Sequence, residues 1–296
     1  MNQWRKGIAS WRCGKTLYLS VPFTWDLSEA EAMARKYKGP VVAGGPAVSL
    51  RRETIDWAET PESCPFDTLA MHNPCATFTT RGCPNRCAFC AVPKIEGEFR
   101  ELPTLKPAPM VCDNNILASS VKHFERVIDS LREFPYVDFN QGLDCHLFRK
   151  KAGHRDMLRN LRGAKLRFAF DNWAQESDCH WAVTWALERH FKAGVYVLIG
   201  FDDTPEDARA RLELVRGWGA LPNPMRYQPL DATEKNAYVA PGWTDRELRR
   251  MSRYYSRLSW LGHVPYEDYV HDESDKPMPL FDERSKPCLR NCFLGK

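Results

Sequence analysis

The sequence predicts an α/β fold built from parallel strands, and two observations carry this prediction. Strand-like and helix-like segments alternate after about residue 70, which is the pattern of repeated βα units. Polar residues recur where these strands end, at the positions where barrels of such units place their chemistry. The two patterns together indicate an enzyme-like fold with its site along one edge of the sheet.

Six segments have the character of strands: 76–80, 109–115, 137–140, 166–171, 194–200 and 225–228. The helix that follows the second strand has apolar residues at helical spacing over 121–131, and Pro135 ends it. Further helices are predicted at about 149–162, 177–193 and 205–218. The last has Thr204 as its N-cap and Pro205 at its first position.

The first strand leads into a short run that contains Cys83, Cys87 and Cys90. Three thiolates at CxxxCxxC spacing on one tight loop can face the same point. A [4Fe–4S] cluster usually takes four cysteine ligands, one per iron, so three cysteines leave one iron open to a non-protein ligand. A structural zinc site would need a fourth ligand in a second pair, and neither His72 nor Cys75 forms one. The spacing therefore favours an iron–sulfur cluster over zinc.

The CxxxCxxC run, with Phe89 before its last cysteine, resembles the radical S-adenosylmethionine (SAM) superfamily, and the resemblance covers roughly residues 70–235. It implies an α/β fold with the partial (β/α)6 barrel of the radical SAM type, a short N-terminal βαβ extension and a helical C-terminal extension. The motifs are nearest to the cobalamin-associated and methylthiotransferase-like branch. The expected division is 1–70 as a truncated Rossmann-like extension, 71–235 as the barrel, and 236–296 as a helical extension with a cysteine-containing tail.

The resemblance also implies which residues hold the cofactors. Cys83, Cys87 and Cys90 would ligate the cluster, whose open iron chelates the amino and carboxylate groups of SAM. Contacts to SAM itself are expected at the strand ends and beside the last cysteine: Phe89, Asp113, Asn114, Asp171, Gly200 and Phe201. Three further candidates for substrate or cofactor contacts follow the third strand: Gln141, Asp144 and His146. No residue is assigned a catalytic role.

The implied activity is reductive cleavage of SAM to methionine and a 5′-deoxyadenosyl radical, which abstracts hydrogen from an unidentified substrate. A nucleotide, a nucleic acid or a peptide is the expected substrate class, and the enzyme would be an oxidoreductase, lyase or transferase. A one-electron reductant such as flavodoxin or ferredoxin is the implied partner. The alternative function is an iron–sulfur or zinc binding module with a structural or interaction role, which neither binds nor cleaves SAM.

The segment before residue 70 predicts a short βαβ unit. Residues 16–21 read as a strand, Ser28 and Glu31 form a capping box, and 41–46 read as a strand followed by a glycine turn. This unit resembles the end of a cobalamin-binding domain, but it is far too short for that domain and lacks the DxHxxG motif whose histidine would ligate cobalt. We therefore expect an extension that covers the barrel or extends its sheet, and the sequence argues against cobalamin as a cofactor.

The C-terminal segment adds a basic helix from Thr244 to about Trp260, with Thr244 and Glu247 forming a capping box. Its arginines alternate with aromatic residues, and such groups can grip phosphates and stack bases, which would suit a nucleic acid or nucleotide. A solvated helix face with aromatic residues turned to the core is the alternative and the favoured interpretation. The arginines are Arg246, Arg249, Arg250, Arg253 and Arg257. Beyond the helix, Cys288 and Cys292 predict an auxiliary metal site only if further ligands join them.

The composition agrees with a cytoplasmic enzyme. A chain of 296 residues with 43% hydrophobic content can bury a large core. It has no apolar run that approaches the ~18 residues of a membrane span, and Met1–Lys6 lack the apolar stretch of a signal peptide. The eleven cysteines are an odd number in a chain of this size, which favours reduced thiols over disulfides. The net charge of +4 is too small to argue for nucleic acid by itself.

Overall fold

The computed structural model describes residues 4–270. The strands of this part of the chain are β1 (Ala9–Cys13), β2 (Thr16–Ser20), β3 (Val41–Gly44), β4 (Ala76–Thr77), β5 (Thr80–Arg81), β6 (Arg100–Glu101), β7 (Met110–Val111), β8 (Val137–Phe139), β9 (Ala164–Ala169), β10 (Lys192–Ile199) and β11 (Leu221–Arg226). The α-helices are α1 (Leu27–Lys36), α2 (Pro46–Leu50), α3 (Thr68–His72), α4 (Val92–Ile95), α5 (Val121–Leu131), α6 (Cys145–Lys150), α7 (Ala152–Leu158), α8 (Glu176–Glu188), α9 (Pro205–Gly217), α10 (Asp245–Tyr255) and α11 (Leu258–Leu261). No described helix is long and apolar enough to cross a membrane.

Six parallel strands form the main sheet, in the order β11-β10-β9-β8-β7-β4. This confirms the α/β fold class and its parallel βα units. Helices cover one face of the sheet, where Val195, Val197 and Ile199 of β10 are fully buried. Successive side chains of a strand point to opposite faces, so Asp138 lies on the other face from its buried neighbours Val137 and Phe139. That other face carries polar side chains, and Asp138 is itself only 7% exposed.

The last strand of the main sheet lies earlier in the chain than the sequence predicts. The expected strand was 225–228, whereas β11 begins at Leu221 and contains Pro222 and Pro224. Proline cannot donate a hydrogen bond to a neighbouring strand, which makes such a segment read as a loop. β11 lies at the edge of the sheet and pairs only with β10. Because Pro222 and Pro224 are two residues apart, their nitrogens point to the same side, which is the open edge, and no hydrogen bond to β10 is lost.

The helix expected at 149–162 is two helices, and it starts earlier than expected. The Asp144 side chain caps α6, because its Oδ1 accepts a hydrogen bond from the Leu147 N–H at 3.0 Å. Lys151 then leaves helical geometry, with φ −90° and ψ 76°, and separates α6 from α7. The side-chain cap of Asp144 and the backbone conformation of Lys151 therefore set the boundaries of these helices. The spacing of apolar residues predicts neither.

The N-terminal extension forms a sheet of its own, in the order β1-β2-β3, instead of extending the main sheet. β2 and β3 are parallel around α1, whereas β1 is an antiparallel strand that the sequence did not predict. A two-residue loop joins β1 to β2, and its first residue, Gly14, has the positive φ (59°) that such hairpin turns need. Only the βαβ part of this unit was expected.

The N-terminal unit lies over the edge of the main sheet where the strands end. The Thr24 hydroxyl donates to the Ala232 carbonyl at 2.5 Å, and Arg51 donates to the Asp231 carbonyl at 2.7 Å, in the loop after β11. Helix α2 of this unit packs against α4, which follows the cysteine loop. The extension therefore reaches both sides of the open mouth of the barrel.

Arg211 of α9 joins the ends of two strands in the main sheet. It is 1% exposed, and its guanidinium donates to the carbonyls of Phe170 and Leu198, each at 3.0 Å, and pairs with Asp203. A buried charge is tolerated only when it is paired and hydrogen-bonded, and these three acceptors meet that condition. Arg211 thereby holds the ends of β9 and β10 at a fixed distance from α9.

We expect Arg211→Leu to lower the free energy of unfolding by about 3–5 kcal/mol, because it leaves the Asp203 carboxylate buried without its partner. Arg209→Leu, on the same helix, removes a largely exposed pair with Glu267 and should lower the free energy of unfolding far less, because solvent screens exposed pairs. Denaturant unfolding of both variants measures the difference. If both variants lose the same free energy of unfolding, the buried pair of Arg211 with Asp203 contributes no more to stability than an exposed pair.

Candidate functional site

The three cysteines lie on the loop between β5 and α4, where the first strands of the main sheet end. Cys83 and Cys90 are half-buried and Cys87 is exposed. The Cys90 N–H donates to the Cys87 carbonyl at 3.0 Å, which closes a tight turn between these two residues. A short antiparallel sheet of β5 with β6, which the sequence did not predict, joins the chain before the loop to the chain after α4.

The thiols lie close enough to influence one another electrostatically. The residue Cys87 is exposed as a whole, but partial desolvation of its thiol is the largest cause of its raised pKa, followed by the charge of Cys90, and Asp171 and Cys83 add to it. Burial also raises the pKa of Cys90, with smaller contributions from Cys83 and Asp171. A positively charged group bound to the sulfurs would remove both penalties, because it stabilises thiolates. The loop is therefore a poor place for free thiolates and a good one for metal-bound sulfur.

Among residues 4–270 there is no group of three or more His, Cys, Asp or Glu side chains arranged to hold a single metal ion. A zinc ion would need its ligands to converge on one atom at ~2.0–2.3 Å. In a [4Fe–4S] cluster each cysteine binds a different iron, so the sulfurs stand farther apart.

A residue that the sequence did not single out, Glu96, supports the cysteine loop. Its side chain is 7% exposed, and Oε2 accepts hydrogen bonds from the Gly82 N–H at 2.6 Å and from the Asn114 amide at 2.9 Å. Oε1 pairs with Arg81 at 2.9 Å. Glu96 follows the cysteines without any motif, so its position relative to Gly82 and Asn114 was invisible in the sequence.

Asp113 supports the same loop from the other side. It is 4% exposed, and Oδ1 accepts hydrogen bonds from the Thr79 N–H at 2.6 Å and the Thr80 N–H at 3.0 Å. Oδ2 accepts from the Thr79 hydroxyl. Burial raises the pKa of Asp113 to about 6, and these hydrogen bonds oppose the rise. Both oxygens of Asp113 thus bind groups of the chain itself, which gives Asp113 a structural role. Its predicted contact to SAM stays a prediction.

Of the two asparagines after Asp113, the sequence selected Asn114, whose amide faces Glu96. Asn115 is 2% exposed and lies against the cysteines. Its Nδ2 is 3.7 Å from Cys83 Sγ and 3.4 Å from Asp144 Oδ2, and its Oδ1 is buried without a hydrogen-bond partner. Buried polar atoms are rarely left unpaired, so this oxygen marks a place for a donor.

The remaining predicted contacts lie on the strands beyond. Burial raises the pKa of Asp171 to about 6, although its Oδ1 accepts a hydrogen bond from the Leu198 N–H at 3.3 Å. Phe89 of the cysteine loop meets Phe201 edge-to-face, with ring centroids 5.6 Å apart. Gly200 has φ 73°, and a Cβ there would stand 2.8 Å from a methyl group of Leu248. The fold therefore brings Phe89, Phe201 and the cysteine loop together.

An aromatic residue that the sequence analysis missed extends this contact. Tyr227, at the end of β11, lies 4.8 Å from Phe201 between ring centroids, and Tyr238 lies 5.4 Å from Tyr227. The predicted strand 225–228 included Tyr227, but nothing in the sequence indicated that this residue follows the strand end and faces Phe201. Phe89, Phe201, Tyr227 and Tyr238 form a continuous aromatic row along the edge of the sheet.

The three candidates after the third strand have different surroundings. Asp144 accepts a hydrogen bond from Asn85 of the cysteine loop at 2.8 Å and so belongs to the site. Gln141 is exposed and has no side-chain hydrogen bond described. His146 Nδ1 lies 2.9 Å from Asp178 Oδ2 on the exposed surface of α6 and α8.

Helix α10 has the predicted capping box of Thr244 and Glu247. Part of its basic surface is engaged within the chain. Arg250 donates to the carbonyls of Tyr266, Glu267 and Tyr269, and Arg249 pairs with Asp245 at 2.7 Å. These contacts support the solvated, structural interpretation of the helix. Cys288 and Cys292, with the auxiliary site expected there, lie outside the described residues.

The fold is similar to solved structures of TsrM from Kitasatospora setae, a radical SAM methyltransferase. One, with cobalamin and a [4Fe–4S] cluster bound, has a TM-score of 0.53 and 14% sequence identity over 78% of this chain and 69% of that chain. Another, with a tryptophan substrate and a SAM analogue bound, has a TM-score of 0.49 and 12% identity over 73% of this chain and 62% of that chain. No protein-family model and no curated protein matches the sequence.

The first of these similarities confirms the radical SAM fold with its partial barrel, which the cysteine motif and the strand order predicted. It also corrects one expectation. The sequence argued against cobalamin, yet a structure with this fold has cobalamin bound, so that prediction is contradicted. A short N-terminal unit without DxHxxG was too weak a reason for the exclusion, because the fold around the site is shared with a cobalamin-containing enzyme.

We expect Gly82→Ala to disrupt the cysteine loop, because Gly82 has φ 74° and a Cβ there would stand 2.3 Å from the Glu98 carbonyl oxygen. Gly97→Ala is the matched control, since Gly97 has φ 70° and nothing within 4 Å of an added Cβ. Gly97→Ala should cost only the left-handed backbone strain, about 1–2 kcal/mol. Iron bound per chain after anaerobic reconstitution, with denaturant unfolding, compares them. Equal iron content in both variants would contradict the steric argument.

We expect Asp171→Asn to raise the free energy of unfolding at neutral pH. The pKa of Asp171 is about 6 in the folded protein and near its usual value when unfolded, so the favourable contribution of the protonated form is present at low pH and is lost as the pH rises through about 6. A rise of about 2 pKa units corresponds to a gain of about 3 kcal/mol at about pH 8, and the gain should largely disappear near about pH 4. Denaturant unfolding at both pH values, with the exposed Asp202→Asn as control, measures it. A gain of the same size at both pH values would show that the raised pKa of Asp171 is not its cause.

Proposed function

We propose that this chain is a radical SAM enzyme that binds a [4Fe–4S] cluster through Cys83, Cys87 and Cys90. The observation that carries the proposal is the position of three mutually interacting thiols at the strand ends of a radical SAM fold. Three cysteines leave one iron for SAM. When bound, the reduced cluster supplies the electron that cleaves SAM to methionine and a 5′-deoxyadenosyl radical, which takes a hydrogen atom from the substrate.

The chain's own residues would hold SAM around the cluster. Asn115 Oδ1 is buried without a partner, and we assign it to the methionine ammonium of SAM. Asp171, whose charge acts on Cys87 and Cys90, is assigned to the ribose, and Phe89 and Phe201 are assigned to the adenine. Asp113 and Asn114 would act indirectly, because Thr79, Thr80 and Glu96 already occupy their side chains.

The polar face of the main sheet is the proposed place for the substrate. Arg167 pairs there with Asp138 and donates to Asn140 Oδ1 at 3.1 Å, while the Tyr196 hydroxyl donates to the Asn140 carbonyl at 2.8 Å. These groups satisfy one another within the chain, and a face that carries charged and amide groups suits a substrate with hydrogen-bonding groups of its own. A nucleotide, a nucleic acid or a peptide all meet that condition. A flavodoxin- or ferredoxin-like reductant and a cytoplasmic location complete the proposal.

Anaerobic reconstitution with iron and sulfide, followed by dithionite and SAM, tests the proposal. We expect 5′-deoxyadenosine by chromatography and the electron paramagnetic resonance signal of a reduced [4Fe–4S] cluster. Cys87→Ala should abolish the product, whereas Cys13→Ala, at another exposed cysteine remote in sequence, should leave it unchanged. An intact reduced cluster with neither SAM binding nor product would instead support the binding-module alternative.

A further inference from the structure

We propose that Asn115 donates a hydrogen bond to the cluster-bound sulfur of Cys83 and thereby raises the reduction potential of the cluster. The inference rests on the proposed cluster at Cys83, Cys87 and Cys90, and it assigns the amide nitrogen of Asn115 a role separate from that of its oxygen. Asn115 Nδ2 stands 3.7 Å from Cys83 Sγ, which is within the range of an N–H···S hydrogen bond. Asn115 acts here as a positioning and tuning residue and not as a ligand.

Burial makes this contact effective. Asn115 is 2% exposed, so water does not replace the N–H when the amide is removed. Hydrogen bonds to the sulfurs and solvent exposure are among the factors that set the potential of an iron–sulfur cluster. The reduced cluster carries one more negative charge than the oxidised cluster, so a fixed N–H dipole at a sulfur stabilises the reduced form more. Removing the dipole should therefore lower the potential.

The orientation of the amide is set by Asp144. Asp144 Oδ2 accepts hydrogen bonds from Asn115 Nδ2 at 3.4 Å and from Asn85 Nδ2 at 2.8 Å, while Oδ1 accepts from the Leu147 N–H at the start of α6. A carboxylate only accepts hydrogen bonds, so it selects the nitrogen of the Asn115 amide and not the oxygen. The same contact turns Oδ1 to the opposite side, where it has no partner.

Asn85 and Asp144 also tie the cysteine loop to the body of the protein. Asn85 lies between Cys83 and Cys87, and its bond to Asp144 fastens the loop to the N-terminus of α6. A contact of this kind helps to orient the loop that carries the metal ligands. Asn85 is exposed, and like Asn115 it donates a hydrogen bond to Asp144. Unlike Asn115, it has no described contact with a cysteine sulfur.

The test is a potentiometric titration of the reconstituted cluster, followed by electron paramagnetic resonance and performed without SAM. We expect Asn115→Leu to retain about the same iron content and to lower the equilibrium constant for reduction about tenfold, which is about 59 mV for one electron. Asn85→Leu, the matched control, should change the constant less than about twofold. An unchanged potential in Asn115→Leu, or equal shifts in both variants, would overturn the proposal.

Two further outcomes separate this proposal from the proposed function. If Asn115→Leu assembles no cluster, Asn115→Ser is titrated instead, because it removes the amide and keeps a small polar side chain; a potential equal to that of the parent would again overturn the inference. A parent protein that binds a cluster but does not cleave SAM would refute only the proposed function, since the titration contains no SAM. A parent protein that binds no cluster would refute both.

Discussion

Two buried carboxylates hold the backbone of the cysteine loop, and the arrangement of the site depends on them. Asp113 accepts the N–H groups of Thr79 and Thr80 before the loop, and Glu96 accepts the N–H of Gly82 at its start. Burying a carboxylate is costly unless hydrogen bonds satisfy it, and bonds from backbone N–H groups to a charged acceptor are among the stronger ones. The loop is thus anchored to β7 and α4 before any metal binds.

The parallel sheet turns this local anchor into a site. Because all six strands run in the same direction, their ends lie along one edge, and Asn115, Asp144, Asp171 and Phe201 come together there from distant parts of the chain. The buried guanidinium of Arg211 keeps the ends of β9 and β10 together by bridging their carbonyls. The helices pack on one face of this sheet, and the other face carries the ion pair of Arg167 with Asp138.

The N-terminal unit shows how an argument from a missing motif can fail. Its length and the absence of DxHxxG argued against cobalamin, but a similar fold has cobalamin bound. In this chain the unit bonds to the loop after β11 and packs on α4, so it borders the mouth of the barrel. Which ligand a mouth accepts depends on the surfaces that face each other across it, and a sequence motif records only one kind of contact to such a ligand.

The sequence by itself determined the class of fold and the location of the cysteine loop, because strand–helix alternation and cysteine spacing are local patterns. It placed five of the six barrel strands close to their observed positions and misplaced β11, whose prolines are acceptable only at a sheet edge. Tertiary structure alone decided which polar groups are available. Asp113 and Asn114 carry suitable chemistry but are occupied by Thr79, Thr80 and Glu96, whereas Asn115 retains a buried free oxygen. Residue type shows what a side chain can bind, and only packing shows whether another part of the chain already binds it.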